Sequence, residues 1–149
     1  MRAVIQRVSE ASVSVGDDAI ARIGPGVLVL VGVATDDDDD DARWMGDKVV
    51  SLRIFQDDDG KMNRSLVEAR GSALVVSQFT LQGDARKGRR PSFVHAASGD
   101  AAESLYQLVA ETIAGHDITT ATGSFGASMQ VALVNDGPVT ILLDSKRVF

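Results

Sequence analysis

The stretch Gly24-Pro25-Gly26-Val27-Leu28-Val29-Leu30-Val31-Gly32-Val33 decides the fold of this chain. Its first three residues are a turn signal, and the run that follows is apolar and rich in β-branched side chains. The run is far shorter than the roughly 20 apolar residues that span a bilayer, and it is typical of a buried strand. We therefore predict a buried strand over residues 27–33.

Strand patterns continue on both sides of this segment. Residues 4–15 predict one or two opening strands, and the turn Gly16-Asp17-Asp18 leads into a strand over residues 19–23. Later strands are expected over residues 72–77, around Val131 and Leu133, and over residues 139–143. Two segments instead repeat apolar residues at helical spacing, and the second helix is expected to begin near Asp100 and to end at Gly115. The residues that repeat are Ala42, Met45, Val49 and Leu52 in the first helix, and Leu105, Leu108, Val109 and Ile113 in the second.

Many strands with only two main helices predict an α+β fold with a mixed, largely antiparallel sheet. The 149 residues fit a single domain, 1–149, because no repeat, linker or low-complexity tract divides them. The absence of cysteine excludes a disulfide framework and a thiolate nucleophile. With no candidate signal peptide or membrane span, we expect a cytoplasmic protein.

Charge gives two opposing indications about nucleic acid. A net charge of −6 argues weakly against a nucleic-acid partner. Screening over about 8–10 Å nevertheless allows a local basic patch to bind phosphate on an acidic protein. Arg86-Lys87-Gly88-Arg89-Arg90 is such a patch, and composition alone leaves a phosphate contact and a solvated loop equally open.

Two acidic runs resemble cation sites only superficially. We interpret residues 36–41, six consecutive aspartates, as the first turn of the first helix, where the helix dipole favours negative charge. Asp57-Asp58-Asp59-Gly60 has Met62 where a calcium loop requires glycine, so we predict a turn between Phe55 and Met62.

Conventional hydrolase machinery is not visible. His95 and His116 are the only imidazoles, no set of zinc ligands clusters in the sequence, and both the phosphate-binding loop motif and the Gly-x-Ser-x-Gly motif are missing.

Two other segments stand out. Ser77-Gln78-Phe79-Thr80-Leu81 ends an apolar strand, and we interpret it from the residues alone as a buried strand end. Asn135-Asp136-Gly137-Pro138-Val139-Thr140 contains a hairpin signal and a bond at which a cis peptide is accessible, and we interpret it as a hairpin turn.

Six segments in a fixed order change the interpretation of these two. They are Met1-Arg2-Ala3-Val4-Ile5-Gln6-Arg7-Val8, Gly60-Lys61-Met62-Asn63, Ser77-Gln78-Phe79-Thr80-Leu81, Lys87-Gly88-Arg89-Arg90-Pro91-Ser92-Phe93, Phe125-Gly126-Ala127-Ser128-Met129 and Asn135-Asp136-Gly137-Pro138-Val139-Thr140. Each is weak alone. Together they resemble the D-aminoacyl-tRNA deacylase family, once named for D-tyrosyl-tRNA, over nearly the whole chain.

The resemblance implies a barrel-like, deacylase-type fold and a homodimer in which the neighbouring subunit completes each site. Gly137 and Pro138 would form a cis peptide that enters the partner's pocket, braced by Arg7, with Met129 in the same substrate-binding set. The catalytic segment would be Ser77, Gln78, Phe79 and Thr80, holding the aminoacyl ester against the terminal adenosine. Neither a cofactor nor a metal is implied.

The implied reaction is hydrolysis of the ester of D-aminoacyl-tRNA to tRNA and free D-amino acid. The carbonyls of Gly137 and Pro138 would face the substrate ammonium and leave room for an α-hydrogen but not for the side chain of an L-residue. Glycine has no side chain to exclude, so tRNA charged with glycine is expected to be a substrate as well.

The route of hydrolysis stays open between two mechanisms. Thr80 is one candidate nucleophile, although no base to activate it is evident. We favour the alternative, in which backbone N–H groups near Phe79 and Thr80 stabilise the oxyanion and the ribose 2′-hydroxyl assists water. In either case Arg86, Lys87, Arg89 and Arg90 are expected to contact phosphates of the acceptor stem.

Two rival functions remain. A dimer that binds small ligands or RNA without turnover is disfavoured by the intact segments around Thr80 and Pro138. A general esterase would act equally well after removal of the RNA.

Overall fold

The computed structural model describes all 149 residues. The strands are β1 (Arg2–Val15), β2 (Asp18–Ile23), β3 (Gly26–Gly32), β4 (Phe55–Gln56), β5 (Met62–Arg64), β6 (Ser72–Ser77), β7 (Thr120–Thr122) and β8 (Gln130–Asp144). The helices are α1 (Asp39–Ser51), α2 (Leu66–Ala69) and α3 (Gly99–Ala114), and a 3₁₀ turn covers Phe79–Gln82. The predicted α+β class is confirmed, with α2 as one short helical turn beyond the two main helices. None of the helices has both the length and the hydropathy needed to cross a bilayer.

Strand β1 organises the main sheet. Along one edge it pairs antiparallel with β8, and along the other it pairs antiparallel first with β3 and then with β2. Strand β3 continues the sheet in parallel with β6, which pairs in parallel with β7. The sheet curls until β2 contacts β6 and β7, which gives the mixed, barrel-like arrangement.

Strand β3 is buried on both faces because alternate side chains enter two different cores. Val27, Val29 and Val31 belong to a large core that also contains the buried faces of α1 and α3. Leu28 belongs to a smaller core whose buried members all come from strands. The predicted buried strand is therefore confirmed, and the same alternation places Val75 of β6 in the large core.

Helices α1 and α3 pack closely at Gly46. A Cβ atom at that position would lie 2.6 Å from Cβ of Thr112, so glycine permits the close approach. The buried face of α3 includes Tyr106, Val109 and Ile113, whereas Leu105 and Leu108 are only partly buried. The buried face of α3 is therefore rotated slightly around the helix axis relative to the predicted apolar face.

The prediction that all six aspartates lie in the first turn of α1 is wrong. The helix begins at Asp39, and Asp38 is its N-cap, accepting a hydrogen bond from Asp41 N at 3.1 Å while Asp41 accepts one from Asp38 N at 3.1 Å. Asp37 lies outside the helix, where its carboxylate accepts hydrogen bonds from the N-terminal ammonium group and from Ala34 N. The physical reason is that a capping carboxylate must precede the first turn.

The prediction of a hairpin turn at residues 135–140 is also wrong. Both halves of β8 pair antiparallel with β1, with Thr140 opposite Gln6 and Asn135 opposite Val8. Residues 136–139 leave the ladder opposite the single residue Arg7, so they form a bulge in one continuous strand. The bulge contains the cis peptide between Gly137 and Pro138.

Candidate active site

A cavity of about 670 Å³ opens where the end of β6 faces the start of α3. Most of its lining is apolar, with polar groups concentrated at the end of β6 and at the start of the helix. The lining residues are Val33, Val76, Ser77, Gln78, Phe79, Phe93, Ala96, Ala97, Ser98, Gly99, Ala102, Phe125, Gly126, Ala127, Met129 and Val131. The cavity has the size and composition of a small-molecule site.

The predicted catalytic segment lies at this cavity. Ser77, Gln78 and Phe79 line it, and Thr80 is joined to them because Gln78 Nε2 donates a hydrogen bond to Thr80 Oγ1 at 2.5 Å. Met129, which was predicted to bind the same substrate, also lines the cavity. The segment is fixed by strand β3, since Gln78 N donates to Val31 O at 2.7 Å.

The 3₁₀ turn leaves backbone donors free at the rim of the cavity. The first N–H bonded back along the turn is that of Leu81, which donates to Gln78 O at 3.2 Å. The preceding N–H groups, those of Phe79 and Thr80, therefore have no partner within the turn. The Thr80 hydroxyl bonds to Gln78, and no carboxylate or imidazole joins it there.

Two phenylalanines of the cavity had no role in the sequence-based prediction. Phe93 packs edge-on against Phe79 with ring centroids 5.2 Å apart, and Phe125 packs against Tyr106 at 5.8 Å. Tyr106 donates to Val75 O at 2.8 Å, and burial raises the pKa of its phenol to about 12. Both phenylalanines lie in segments that carried the family resemblance, and that position was the only signal available.

The chiral-selection residues form a second group. Arg7 is buried, and its Nε donates to Asp136 O at 3.0 Å while its Nη1 donates to Ile54 O at 2.6 Å. A Cβ atom at Gly137 would lie 2.8 Å from Arg7 Nη2. Arg7, Gly137 and Pro138 are thus brought together, but none of them lines the cavity of their own chain.

The predicted tRNA-contact residues lie on an exposed loop, residues 84–92, that we call the basic loop. Backbone hydrogen bonds of 2.8 and 2.9 Å between Asp84 and Ser92 close it. Arg86 donates to the Asp84 carboxylate at 2.9 and 2.6 Å, and these bonds hold the pKa of Asp84 well below its usual range. None of the ion pairs of the chain involves the other three cations, Lys87, Arg89 and Arg90.

The two histidines lie outside the lining of the cavity. His95 is exposed beside the basic loop, and His116 Nε2 lies 2.8 Å from Asp47 Oδ1 on the outside of α1. No group of three or more histidine, aspartate or glutamate side chains is arranged to hold a metal ion.

Comparison with known proteins identifies the family of the chain. A family model described as D-Tyr-tRNA(Tyr) deacylase matches residues 4–144. A D-aminoacyl-tRNA deacylase from Fervidobacterium nodosum is 53% identical over 149 residues, which is the whole of both chains. One from Thermomicrobium roseum is 59% identical over 148 residues, covering 99% of this chain and 96% of that one.

Solved structures share the fold over nearly the whole length. One described as c-Myc DNA Unwinding Element Binding Protein has a TM-score of 0.90 at 40% identity, covering 97% of this chain and 98% of that chain. A probable eukaryotic D-amino acid tRNA deacylase has a TM-score of 0.82 at 20% identity, covering 95% and 97%, and supports the fold alone. The predicted family, fold class and hydrolase class are confirmed. The chain belongs to the D-Tyr-tRNA(Tyr) deacylase family.

Proposed function

We propose that the protein hydrolyses the ester of D-aminoacyl-tRNA and releases tRNA and the free D-amino acid. The observation that carries this proposal is the position of Ser77, Gln78, Phe79 and Thr80 at a cavity of about 670 Å³ in a chain of this family. A cavity of that volume accommodates an aminoacyl group together with a terminal adenosine.

Hydrolysis proceeds without a protein nucleophile. The N–H groups of Phe79 and Thr80 are unused within the 3₁₀ turn and would donate to the oxyanion that develops on the ester carbonyl. Thr80 lacks a bonded base, and Gln78, its hydrogen-bond partner, does not accept a proton from a hydroxyl. We therefore assign Thr80 a positioning role and assign activation of water to the ribose 2′-hydroxyl of the substrate.

Selection of the D-enantiomer comes from the Gly137-Pro138 bulge of a second copy of the chain. The two carbonyl oxygens of this segment bind the substrate ammonium and leave space only for the α-hydrogen, so an L-side chain is excluded. Three observations support this arrangement: Gly137 and Pro138 are exposed, the buried Arg7 holds the bulge, and neither residue lines the cavity of its own chain. Glycyl-tRNA is also accepted, because glycine has no side chain to exclude.

A homodimer supplies that second copy. Strand β8 pairs only with β1, which leaves its outer edge without a strand partner. The strand also exposes the apolar side chains of Leu133, Val134 and Leu142. A long edge strand with exposed apolar residues favours pairing with another chain.

The rest of the substrate lies over the basic loop. Arg86, Lys87, Arg89 and Arg90 were predicted to contact acceptor-stem phosphates, and the three without an ion pair are the ones we retain as direct contacts. Arg86 instead holds the loop through Asp84. We further propose that residues 1–149 act as one domain in the cytoplasm, where charged tRNA is used.

The function is tested by incubating the protein with tRNA charged with D-tyrosine, L-tyrosine or glycine. We expect the D-tyrosyl and glycyl esters to be cleaved and the L-tyrosyl ester to persist. Equal persistence of the glycyl and L-tyrosyl esters would contradict selection by side-chain exclusion. Binding without cleavage would identify an RNA-binding dimer, and equal cleavage of a D-tyrosine methyl ester would identify a general esterase.

A further inference from the structure

We propose that Phe93 is a stacking platform for the nucleotide that precedes the terminal adenosine, placed where the basic loop joins the cavity. The inference rests on the proposed function and extends it. It assigns a position at the rim of the cavity to the unpaired nucleotide next to the aminoacyl-adenosine.

Phe93 is fixed at the junction between the loop and the cavity. It directly follows Ser92, the residue that closes the basic loop with Asp84. Its ring packs edge-on against Phe79 at 5.2 Å. Space for the ring depends on Gly83, where a Cβ atom would lie 3.0 Å from Phe93 Cε1.

Part of this aromatic surface remains open to solvent. Phe93 is 38% exposed, and Phe79, which packs against its ring, is 53% exposed. An exposed apolar patch at the rim of a cavity is typical of a binding surface. A strand of RNA whose last nucleotide occupies the cavity has to pass this rim on its way out.

The charge beside Phe93 favours RNA over a protein surface. Lys87, Arg89 and Arg90 make no ion pair and lie on the loop that Phe93 directly follows. Aromatic rings that stack on bases, together with cations that follow the phosphates, are the combination by which proteins bind single-stranded nucleic acid. An apolar surface of a second copy would cover Phe93 without neutralising these three cations.

Substrates of different length separate this role from that of the cavity. We would measure kcat/KM on D-tyrosyl-adenosine and on a D-tyrosylated CCA trinucleotide for Phe93→Leu, Phe93→Trp and the control Val94→Ala. Leucine keeps apolar contact with Phe79 but removes the π face, so we expect about a tenfold loss on the trinucleotide, within the range for stacking one base. Because Phe93 also lines the rim of the cavity, the same variant should lose some activity on D-tyrosyl-adenosine, but clearly less than on the trinucleotide. Phe93→Trp should restore the trinucleotide rate, and Val94→Ala should change neither rate.

Three results would overturn the proposal. They are equal losses on both substrates, no loss on the trinucleotide, and a change in the oligomeric mass of Phe93→Leu, which would place a second copy over the patch. Affinity for an uncharged CCA-ended RNA, measured alongside, is expected to fall in Phe93→Leu. This binding measurement tests Phe93 even if the wild type cleaves no ester, in which case the proposed function fails on its own.

Discussion

Arg7 donates from Nε to the carbonyl oxygen of Asp136 at 3.0 Å, and Asp136 is the first residue of the bulge that carries Gly137 and Pro138. The same guanidinium donates from Nη1 to Ile54 O at 2.6 Å. A planar group with several donors can hold two carbonyls at once, so one buried side chain fixes the bulge to the segment that follows α1.

Replacing Arg7 with lysine should weaken both the fold and the selection of enantiomers. An ammonium group is a point donor and does not span both carbonyls, so we expect the free energy of unfolding to fall by about 2 kcal/mol. Cleavage of L-tyrosyl-tRNA should rise relative to D-tyrosyl-tRNA as the bulge loosens. Urea unfolding and the ratio of the two kcat/KM values measure these effects.

Arg22→Lys is the matched control, because Arg22 forms an exposed pair with Glu10 at 2.6 Å. We expect it to change stability by less than about 1 kcal/mol. An unchanged enantiomer ratio in Arg7→Lys would contradict the assigned bracing role.

Gly137→Ala should impair hydrolysis while the rest of the fold stays intact. Gly137 has φ +129°, and a Cβ atom there would lie 2.8 Å from both Arg7 Nη2 and Val139 Cγ2. The bulge therefore has to shift, and a misplacement of about 1 Å in a catalytic site costs on the order of 100-fold in rate. Gly24→Ala is the control, since that position has open space and no positive φ. If Gly137→Ala cleaved D-tyrosyl-tRNA at the wild-type rate, the bulge would not be part of the active site.

Thr80→Ala should retain most of the activity. Removing a true nucleophile costs roughly 10⁶-fold in a well-studied hydrolase, whereas loss of a positioning hydroxyl should cost about tenfold. A substrate whose terminal adenosine lacks the 2′-hydroxyl should instead be cleaved very slowly by the wild type. Single-turnover rates on the two substrates measure both effects, with Thr80→Ser as the control that keeps the hydroxyl. The reverse pattern would establish covalent catalysis through Thr80.

Local sequence was sufficient for the elements whose pattern is self-contained. Strand β3 was predictable because an apolar run bounded by turn residues has few other uses. The segment Ser77 to Thr80 could be placed at the end of such a strand from local sequence, but its catalytic role was predicted only through the family resemblance.

Elements that depend on a distant partner were not predictable in this way. Asp136-Gly137 favours a hairpin locally, but the pairing of both halves of β8 with β1 decides the geometry and turns the segment into a bulge. The position of the Phe93 ring depends on Phe79 and Gly83, which no local pattern connects to it. The aspartate run could not reveal which of its residues caps α1, because all six are chemically identical.

The ion pair between Asp41 and Lys146 predicts how stability depends on pH. Lys146 Nζ donates to Asp41 Oδ2 at 2.6 Å and joins the end of the chain to the first turn of α1. Burial opposes ionisation of Asp41, yet hydrogen bonds from Lys146, Ser145 and Asp38 lower its pKa from 3.8 to about 2. Because the folded carboxylate binds a proton less readily than the unfolded one, its contribution is complete above pH 3.8 and is lost as the pH falls towards 2.

Lys146→Met removes the strongest of these hydrogen bonds, so the pKa of Asp41 should move back towards its usual value. We expect the free energy of unfolding to decrease by about 1 kcal/mol at pH 7, a modest figure because Lys146 is partly exposed. The decrease should shrink between pH 4 and pH 2, where the wild type loses the same contribution. Urea unfolding across this range tests the expectation, with Lys61→Met, whose side chain makes no ion pair, as the control. A stability difference that stays constant from pH 7 to pH 2 would mean that Lys146 acts through packing and not through the charge of Asp41.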